Sequence, residues 1–181
     1  VVRVPLEPPW RITPVELVRK HHEGHPAIVM VCSPNNPTGN AQDPRIIAAA
    51  AELVPNELFI VDEAYIEFAA RESLTRRLDE FPNLVVLRTL SKAYALAGAR
   101  LGTLIASEEI VALLKRIIPP YAIPASTIEQ VLALTEAPQR AMAGARIRTL
   151  LDEREVARQR LAGMRCVVQV HASDANFLLV Q

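Results

Sequence analysis

The 181-residue chain has little cysteine, no excess charge of either sign and no long apolar run. Its two cysteines, Cys32 and Cys166, are too few and too far apart for a disulfide framework or a metal cluster, and each lies in an apolar run that suits a small core residue. Twenty Lys and Arg balance twenty Asp and Glu, and no basic cluster is present to track a phosphate backbone, which argues against a nucleic-acid partner. No stretch approaches the ~18 apolar residues of a membrane span, and the opening VVRVPLEPPW lacks the layout of a secretory signal. Internal repeats and low-complexity tracts are also missing, and the 14 prolines punctuate loops. These absences predict a soluble, cytoplasmic protein with no metal, membrane or nucleic-acid partner. An initiator methionine is lacking too, and the chain stops at Gln181 within an apolar run, as expected of a piece of a longer protein.

What is present suits one globular domain: half the residues are hydrophobic, enough for a full core. Apolar runs at 1–6, 27–32, 58–61, 84–87 and 101–106 lack polar alternation and predict strands buried on both faces. Helices are predicted at 14–22, capped by Thr13, and at 44–53, capped by Asp43, each with proline in the first turn. Such alternation predicts an α/β fold with a mostly parallel, helix-covered sheet. Beyond residue 106 the pattern turns helical, at 108–118 capped by Ser107, then 126–134 after the Pro119-Pro120 break, then a charged segment at 139–161. In that segment Ile147, Leu150 and Leu151 keep helical spacing, and the charges read as a solvated face carrying i,i+4 pairs. Runs at 166–170 and 176–180 read as two strands of a new unit, which divides the chain into 1–138 and 139–181.

Three motifs follow strands. Ser33-Pro-Asn-Asn-Pro-Thr-Gly39 forces a turn at a strand's carboxyl end, the edge where open α/β sheets bind ligands. In Val61-Asp-Glu-Ala-Tyr65 a carboxylate ends an apolar run; Asp62 there suits a metal ligand, a helix cap or the partner of a buried cation. The third is Arg88-Thr-Leu-Ser-Lys-Ala-Tyr-Ala-Leu-Ala-Gly-Ala-Arg100, with a Ser91-Lys92 pair.

In this order and at these spacings the motifs resemble the fold-type-I pyridoxal-phosphate (PLP) aminotransferases, and among them the histidinol-phosphate aminotransferases, over essentially the whole chain. The resemblance implies an aspartate aminotransferase-like large domain, ending near residue 138, followed by the interdomain helix and first strands of a smaller α+β domain. It implies that Lys92 bonds to the C4′ aldehyde of PLP and shuttles a proton between Cα and C4′. Asp62 would hold the proton on the pyridine nitrogen. Asn36 and Tyr65 would donate to the phenolic oxygen, with Asn35 competing for that role on the residues alone. Ser91, Thr89 and Arg100 would hold the phosphate, and Gly98 would let the backbone turn so that Arg100 reaches back. The implied reaction is transamination between L-histidinol phosphate and 2-oxoglutarate in histidine biosynthesis, by a homodimer. Aromatic aminotransferases and threonine-phosphate decarboxylase share these motifs, and a non-catalytic phosphate- or nucleotide-binding α/β domain is the rival of another class. Family members carry further site residues before and after this stretch, so the chain alone is expected to be inactive. Elsewhere, Tyr121 is a candidate to line the site, Trp10 to pack on the sheet edge, and His21, His22 and His25 to be exposed near a helix end.

Overall fold

The computed structural model describes residues 3–24, 27–134 and 136–181. In chain order the elements are α1 (Pro14–Gly24), β1 (Ile28–Cys32), α2 (Pro44–Leu53), β2 (Leu58–Asp62), β3 (Leu84–Thr89), β4 (Gly102–Ala106), α3 (Glu108–Lys115), α4 (Ala125–Leu134) and α5 (Ala137–Ala162). Short 3-10 turns lie at Ile66–Phe68, Leu74–Arg77 and Ala97–Ala99.

The helix starts follow local chemistry. The Thr13 hydroxyl accepts from the Glu16 N–H at 3.3 Å and donates to the Glu16 carboxylate at 2.8 Å, a reciprocal cap for α1. Asp43 accepts from the Arg45 N–H at 2.9 Å and is followed by Pro44, whose missing N–H costs nothing in a first turn. Ser107 departs from expectation: its side chain makes no capping bond, and Glu108 and Glu109 supply the negative charge that the start of α3 favours.

The sheet order is β1-β2-β3-β4, with β1, β2 and β3 parallel and β4 antiparallel to β3. Cys32 faces Asp62, Asp62 faces Leu87, and Thr89 faces Gly102. The carboxyl ends of three strands and the start of the fourth therefore share one edge, the ligand edge of a parallel sheet. Below it Phe59, Val61, Leu84 and Val86 pack against Ile47, Ala50 and Ala51 of α2 and against Leu74. Alanines on the buried face of α2 let the helix seat closely on the sheet.

Several expectations change. The outer strand β1 leaves Ile28 54% and Met30 59% exposed, and β4 is exposed over its first three residues, so burial on both faces belongs to the central strands. Residues 3–7 form no strand, since Pro5, Pro8 and Pro9 have no N–H to give a ladder; Val1 and Val2 lie outside the described residues. The runs at 166–170 and 176–180 pair through one antiparallel bridge, Val170 to Val180, with flanking backbone bonds such as His171 N–H to Leu179 C=O at 2.9 Å. Cys32 is half-buried and Cys166 exposed, so neither is a core residue. Burial, and then the Asp62 charge, push the Cys32 thiol pKa up. In α5 Ile147 and Leu151 pack inward whereas Leu150 is exposed, and the charge pair given by the side chains is i,i+3, Glu155 with Arg158 at 2.6 Å.

The turn from α2 into β2 depends on one amide. Asn83 Nδ2 donates to the carbonyls of Ala51 (3.2 Å), Val54 (3.0 Å) and Glu57 (3.1 Å), adding to the long backbone bonds that Val54 N–H and Glu57 N–H make to the first two (3.4 and 3.3 Å). Asn83→Ala should cost about 2 kcal/mol, because part-buried acceptors lose their donor. Asn83→Asp, of nearly equal volume, should cost at least as much near neutral pH by turning a donor into a charge facing three carbonyls; urea unfolding of the three proteins measures both.

Candidate active site

The loop after β1 is tied down from within. Gly39 N–H donates to Asn35 C=O at 2.7 Å, Asn35 N–H to Asn40 C=O at 3.0 Å, and the Asn35 side-chain amide to Thr38 Oγ1 at 2.7 Å. Buried Gln42 anchors its far end: Oε1 accepts from Ile12 N–H at 3.0 Å, Nε2 donates to Trp10 C=O at 2.8 Å, and its N–H donates to Ser33 Oγ at 2.9 Å. This separates the two asparagines. Asn35 is spent inside the loop, whereas Asn36 Nδ2 reaches out to Tyr65 Oη at 3.2 Å.

At the end of β2 consecutive carboxylates go opposite ways, as strand alternation requires. Asp62 is half-buried, and its Oδ1 accepts from the Ala64 N–H at 3.0 Å, turning the chain towards Tyr65. Glu63 is 2% exposed, takes the Ser73 hydroxyl at 2.5 Å and the Leu74 N–H at 2.8 Å, and so anchors the turn that follows. Burial pushes its pKa up, against the pull of those two bonds. Glu67 pairs with Arg88 of β3 at 2.5 Å, and its buried Oε2 has no partner among the described residues. Tyr65 is the meeting point: Lys92 Nζ lies over its ring, 5.3 Å from the centroid, and Phe177 stands edge-on to it at 5.2 Å.

The segment from β3 to β4 closes at its neck. Leu90 N–H donates to Leu101 C=O at 3.4 Å, and the Thr89 hydroxyl lies 3.3 Å from that carbonyl and 3.0 Å from Ser91 Oγ. Ser91 N–H donates to the Thr89 hydroxyl at 3.1 Å, so Thr89 braces the turn that presents Ser91 and Lys92. The reversal is made by Ala95 (φ 56°) and Arg100 (φ 52°), both left-handed, whereas Gly98 sits in the 3-10 turn with open space at its Cα. The role expected of Gly98 therefore passes to those two residues. Arg100 is exposed and donates to Ala97 C=O at 3.0 Å, beside Ala99, whose carbonyl is held by Thr127 of α4.

Other candidates lie apart. Tyr121 is fully exposed with φ 56°. Trp10 packs edge-on against His171 at 4.7 Å, and its carbonyl takes the Asn40 and Gln42 side-chain amides of the loop after β1. His25 and the side chains of His21 and His22 lie outside the described residues. Among the described residues no group of three His, Cys, Asp or Glu is placed to hold a metal, and no helix is long and apolar enough to cross a membrane. Sequence reasoning missed Glu63, Glu67, Asp174 and Phe177; the first two adjoin Asp62 and Tyr65 in the same short motif, and the others touch the site only through folding.

Aminotransferase class I and II matches over residues 1–181. The chain belongs to this family. It is 43% identical over 157 residues to a histidinol-phosphate aminotransferase of Shigella flexneri serotype 5b, an overlap of 85% of this chain and 44% of that protein. With the histidinol-phosphate aminotransferase of Cytophaga hutchinsonii it shares 36% identity over 185 residues, covering all of this chain and 51% of the relative. The chain thus spans about half the length of the curated relatives it matches. Histidinol-phosphate aminotransferase from Sinorhizobium meliloti, solved with pyridoxal-5′-phosphate, superposes with a TM-score of 0.86 at 26% identity over 99% of this chain and 48% of that one. An L-threonine-O-3-phosphate decarboxylase from Porphyromonas gingivalis, 24% identical over 85% of this chain and 47% of its own, has the same fold at a TM-score of 0.75. Class I and II aminotransferases use PLP.

Glu63 yields a test of the site's foundation. Its raised pKa means that the folded protein holds this proton more tightly than the unfolded chain does. The stability it contributes is full below the ordinary glutamate range, about pH 4, and is lost as pH rises through the raised value. The unmutated protein should therefore lose stability relative to Glu63→Gln as pH rises above the ordinary glutamate range, read as the difference in urea midpoints. The opposite trend would mean that the bonds from Ser73 and Leu74 outweigh burial.

Proposed function

We propose that the protein is a PLP-dependent transaminase that moves an amino group between L-histidinol phosphate and 2-oxoglutarate in histidine biosynthesis. The observation that carries this reading is the convergence of Asn36, Tyr65 and Lys92: an amide and a phenol 3.2 Å apart, with an amine over the phenol ring. The names of the histidinol-phosphate relatives support the substrate. In this reading the protein is a cytoplasmic homodimer, residues 1–138 belong to its large cofactor-binding domain, and residues 139–181 are the interdomain helix and the start of the small domain.

By residue type the donor set suits each polar group of the cofactor. An aldehyde needs an amine, a pyridine nitrogen needs a carboxylate, a phenolic oxygen needs donors and a phosphate needs hydroxyls and a cation. Lys92, Asp62, the Asn36–Tyr65 pair, and Ser91 with Arg100 would meet these needs, each at or just beyond a strand end on one sheet edge. When bound, PLP supplies the aldehyde that takes the substrate amine and a protonated ring that withdraws electrons from Cα. Lys92 Nζ would be the amine that bonds the aldehyde and, when free, the base that moves a proton between the substrate Cα and C4′. The Asp62 carboxylate would hold the proton on the ring nitrogen, and Asn36 and Tyr65 would donate to the phenolic oxygen and favour its ionised form. Ser91 and the Arg100 guanidinium would bind the phosphate, Arg100 by leaving the Ala97 carbonyl, with Thr89 as a further hydroxyl at the neck of the loop.

Lys92→Ala in the intact protein should abolish the visible absorbance of lysine-bound cofactor and lower transamination by about 10³-fold or more, with an unchanged circular-dichroism spectrum. A retained band or more than a few per cent of turnover would remove Lys92 from the mechanism and favour a phosphate-binding domain. Asp62→Asn should still bind PLP while slowing Cα proton exchange by about 10²-fold or more in single-turnover experiments.

A further inference from the structure

The two residues that face one cofactor oxygen in this reading are held from outside the sheet by a single short segment, residues 173–177. Asp174 is bonded twice to the loop carrying Asn36: its carboxylate accepts from Ala41 N–H at 2.8 Å, and its own N–H donates to Gly39 C=O at 2.7 Å. The fit leaves no slack. Gly39 has φ +78°, and a Cβ there would lie 2.6 Å from Ser173 Oγ and 3.0 Å from Ser173 Cβ. Three residues on, Phe177 stands at 83° to the Tyr65 ring. The segment is itself fixed from behind: Ala175 is fully buried, its N–H donates to Ser173 Oγ at 3.1 Å, and its carbonyl takes the Arg154 guanidinium of α5.

We propose that residues 173–177 are a positioning template for the Asn36–Tyr65 pair, with Asp174 fixing the asparagine loop and Phe177 fixing the plane of the tyrosine. The inference rests on the transaminase reading, because it gives those two donors a shared target. A hydrogen bond weakens steeply as its distance and angle drift, so donors set on separate elements need a common support to stay aimed at one atom. Neither Asp174 nor Phe177 touches the cofactor in this account; both act through the residues they hold.

The experiment is a pH titration of the lysine-bound visible band in the intact, PLP-loaded protein. Donors on the phenolic oxygen compete with the proton it shares with the lysine nitrogen, so loosening them holds that proton tighter and raises the midpoint. Asp174→Ala should raise it by about half a unit or more. Asp174→Asn, which keeps an acceptor for Ala41 N–H, should leave the midpoint close to that of the unmutated protein, and Phe177→Leu provides a second arm, raising the midpoint as Asp174→Ala does, should Asp174→Ala fold poorly. In an Asn36→Ala background Asp174→Ala should add nothing, because its effect passes through Asn36. A midpoint indifferent to Asp174→Ala and Phe177→Leu, or an Asp174→Ala shift undiminished in the Asn36→Ala background, overturns the template and leaves the transaminase reading standing. Absence of any lysine-bound band in the unmutated protein overturns both.

Discussion

Strand β2 is hydrogen-bonded along both flanks, and its last residue, Asp62, is paired with Cys32 on one side and Leu87 on the other. That double pairing sets the level at which the loops after β1, β2 and β3 leave the sheet. Because the strands are parallel and in step, residues far apart in sequence emerge beside one another: Asn36 just beyond β1, Tyr65 just beyond β2, Ser91 and Lys92 just beyond β3. The antiparallel β4 adds Arg100 at the same edge from the opposite chain direction. A one-residue slip of β2 would turn Asp62 away from the edge and carry Glu63 out of its buried pocket, so the site depends on register before it depends on any side-chain contact.

The buried carboxyl groups serve that register. Glu63 gives up water for two hydrogen bonds, and Glu67 for an ion pair with Arg88, and both lie in the turn that places Tyr65. Replacing such groups by apolar ones is often tolerated, whereas removing one partner leaves the other desolvated and alone. The same turn therefore resists partial change: Glu67 is linked to β3 through Arg88, and β3 continues into the turn that carries Lys92. Strain is concentrated there as well, with two non-glycine residues, Ala95 and Arg100, left-handed within one loop at roughly 1 kcal/mol each.

What was legible in the chain was what is local. Proline-asparagine-glycine turns, apolar strand cores and the acid and lysine that follow them are encoded over a few residues, and the structure brings their bearers to one edge. Fold class was legible too, because strands alternating with capped helices admit few arrangements. Edge exposure of β1 and β4 was not, since an apolar run reads the same whether or not a neighbour covers it. Gly98 drew attention because glycine tolerates left-handed backbone, yet Ala95 and Arg100 adopt it under the closure imposed by Thr89, Leu90 and Leu101. Asp174 was invisible for a different reason: its partners Gly39 and Ala41 lie more than a hundred residues away, and a lone aspartate before alanine carries no local sign of them.

The site consequently has two supports of unequal kind. Asp62 and Thr89 end strands locked by backbone pairing in the middle of the sheet, and Ser91 follows two residues after Thr89, tied to it by its N–H. Asn36 and Tyr65 complete their orientation against residues 173–177, which α5 braces through Arg154 and through Ile147 and Leu151 packed near Tyr65. Helix α5 is long and largely polar, and of its 26 residues Ala143 alone is fully buried, so it is held by a narrow seam and not by a broad apolar face. Any change in how α5 seats would reach Tyr65 through that seam while leaving Asp62 where the sheet puts it. In the proposed transaminase reading, cofactor chemistry would divide between a sink at the ring nitrogen, fixed by the sheet through Asp62, and a donor pair at the phenolic oxygen, Asn36 and Tyr65, whose support comes from the C-terminal segment.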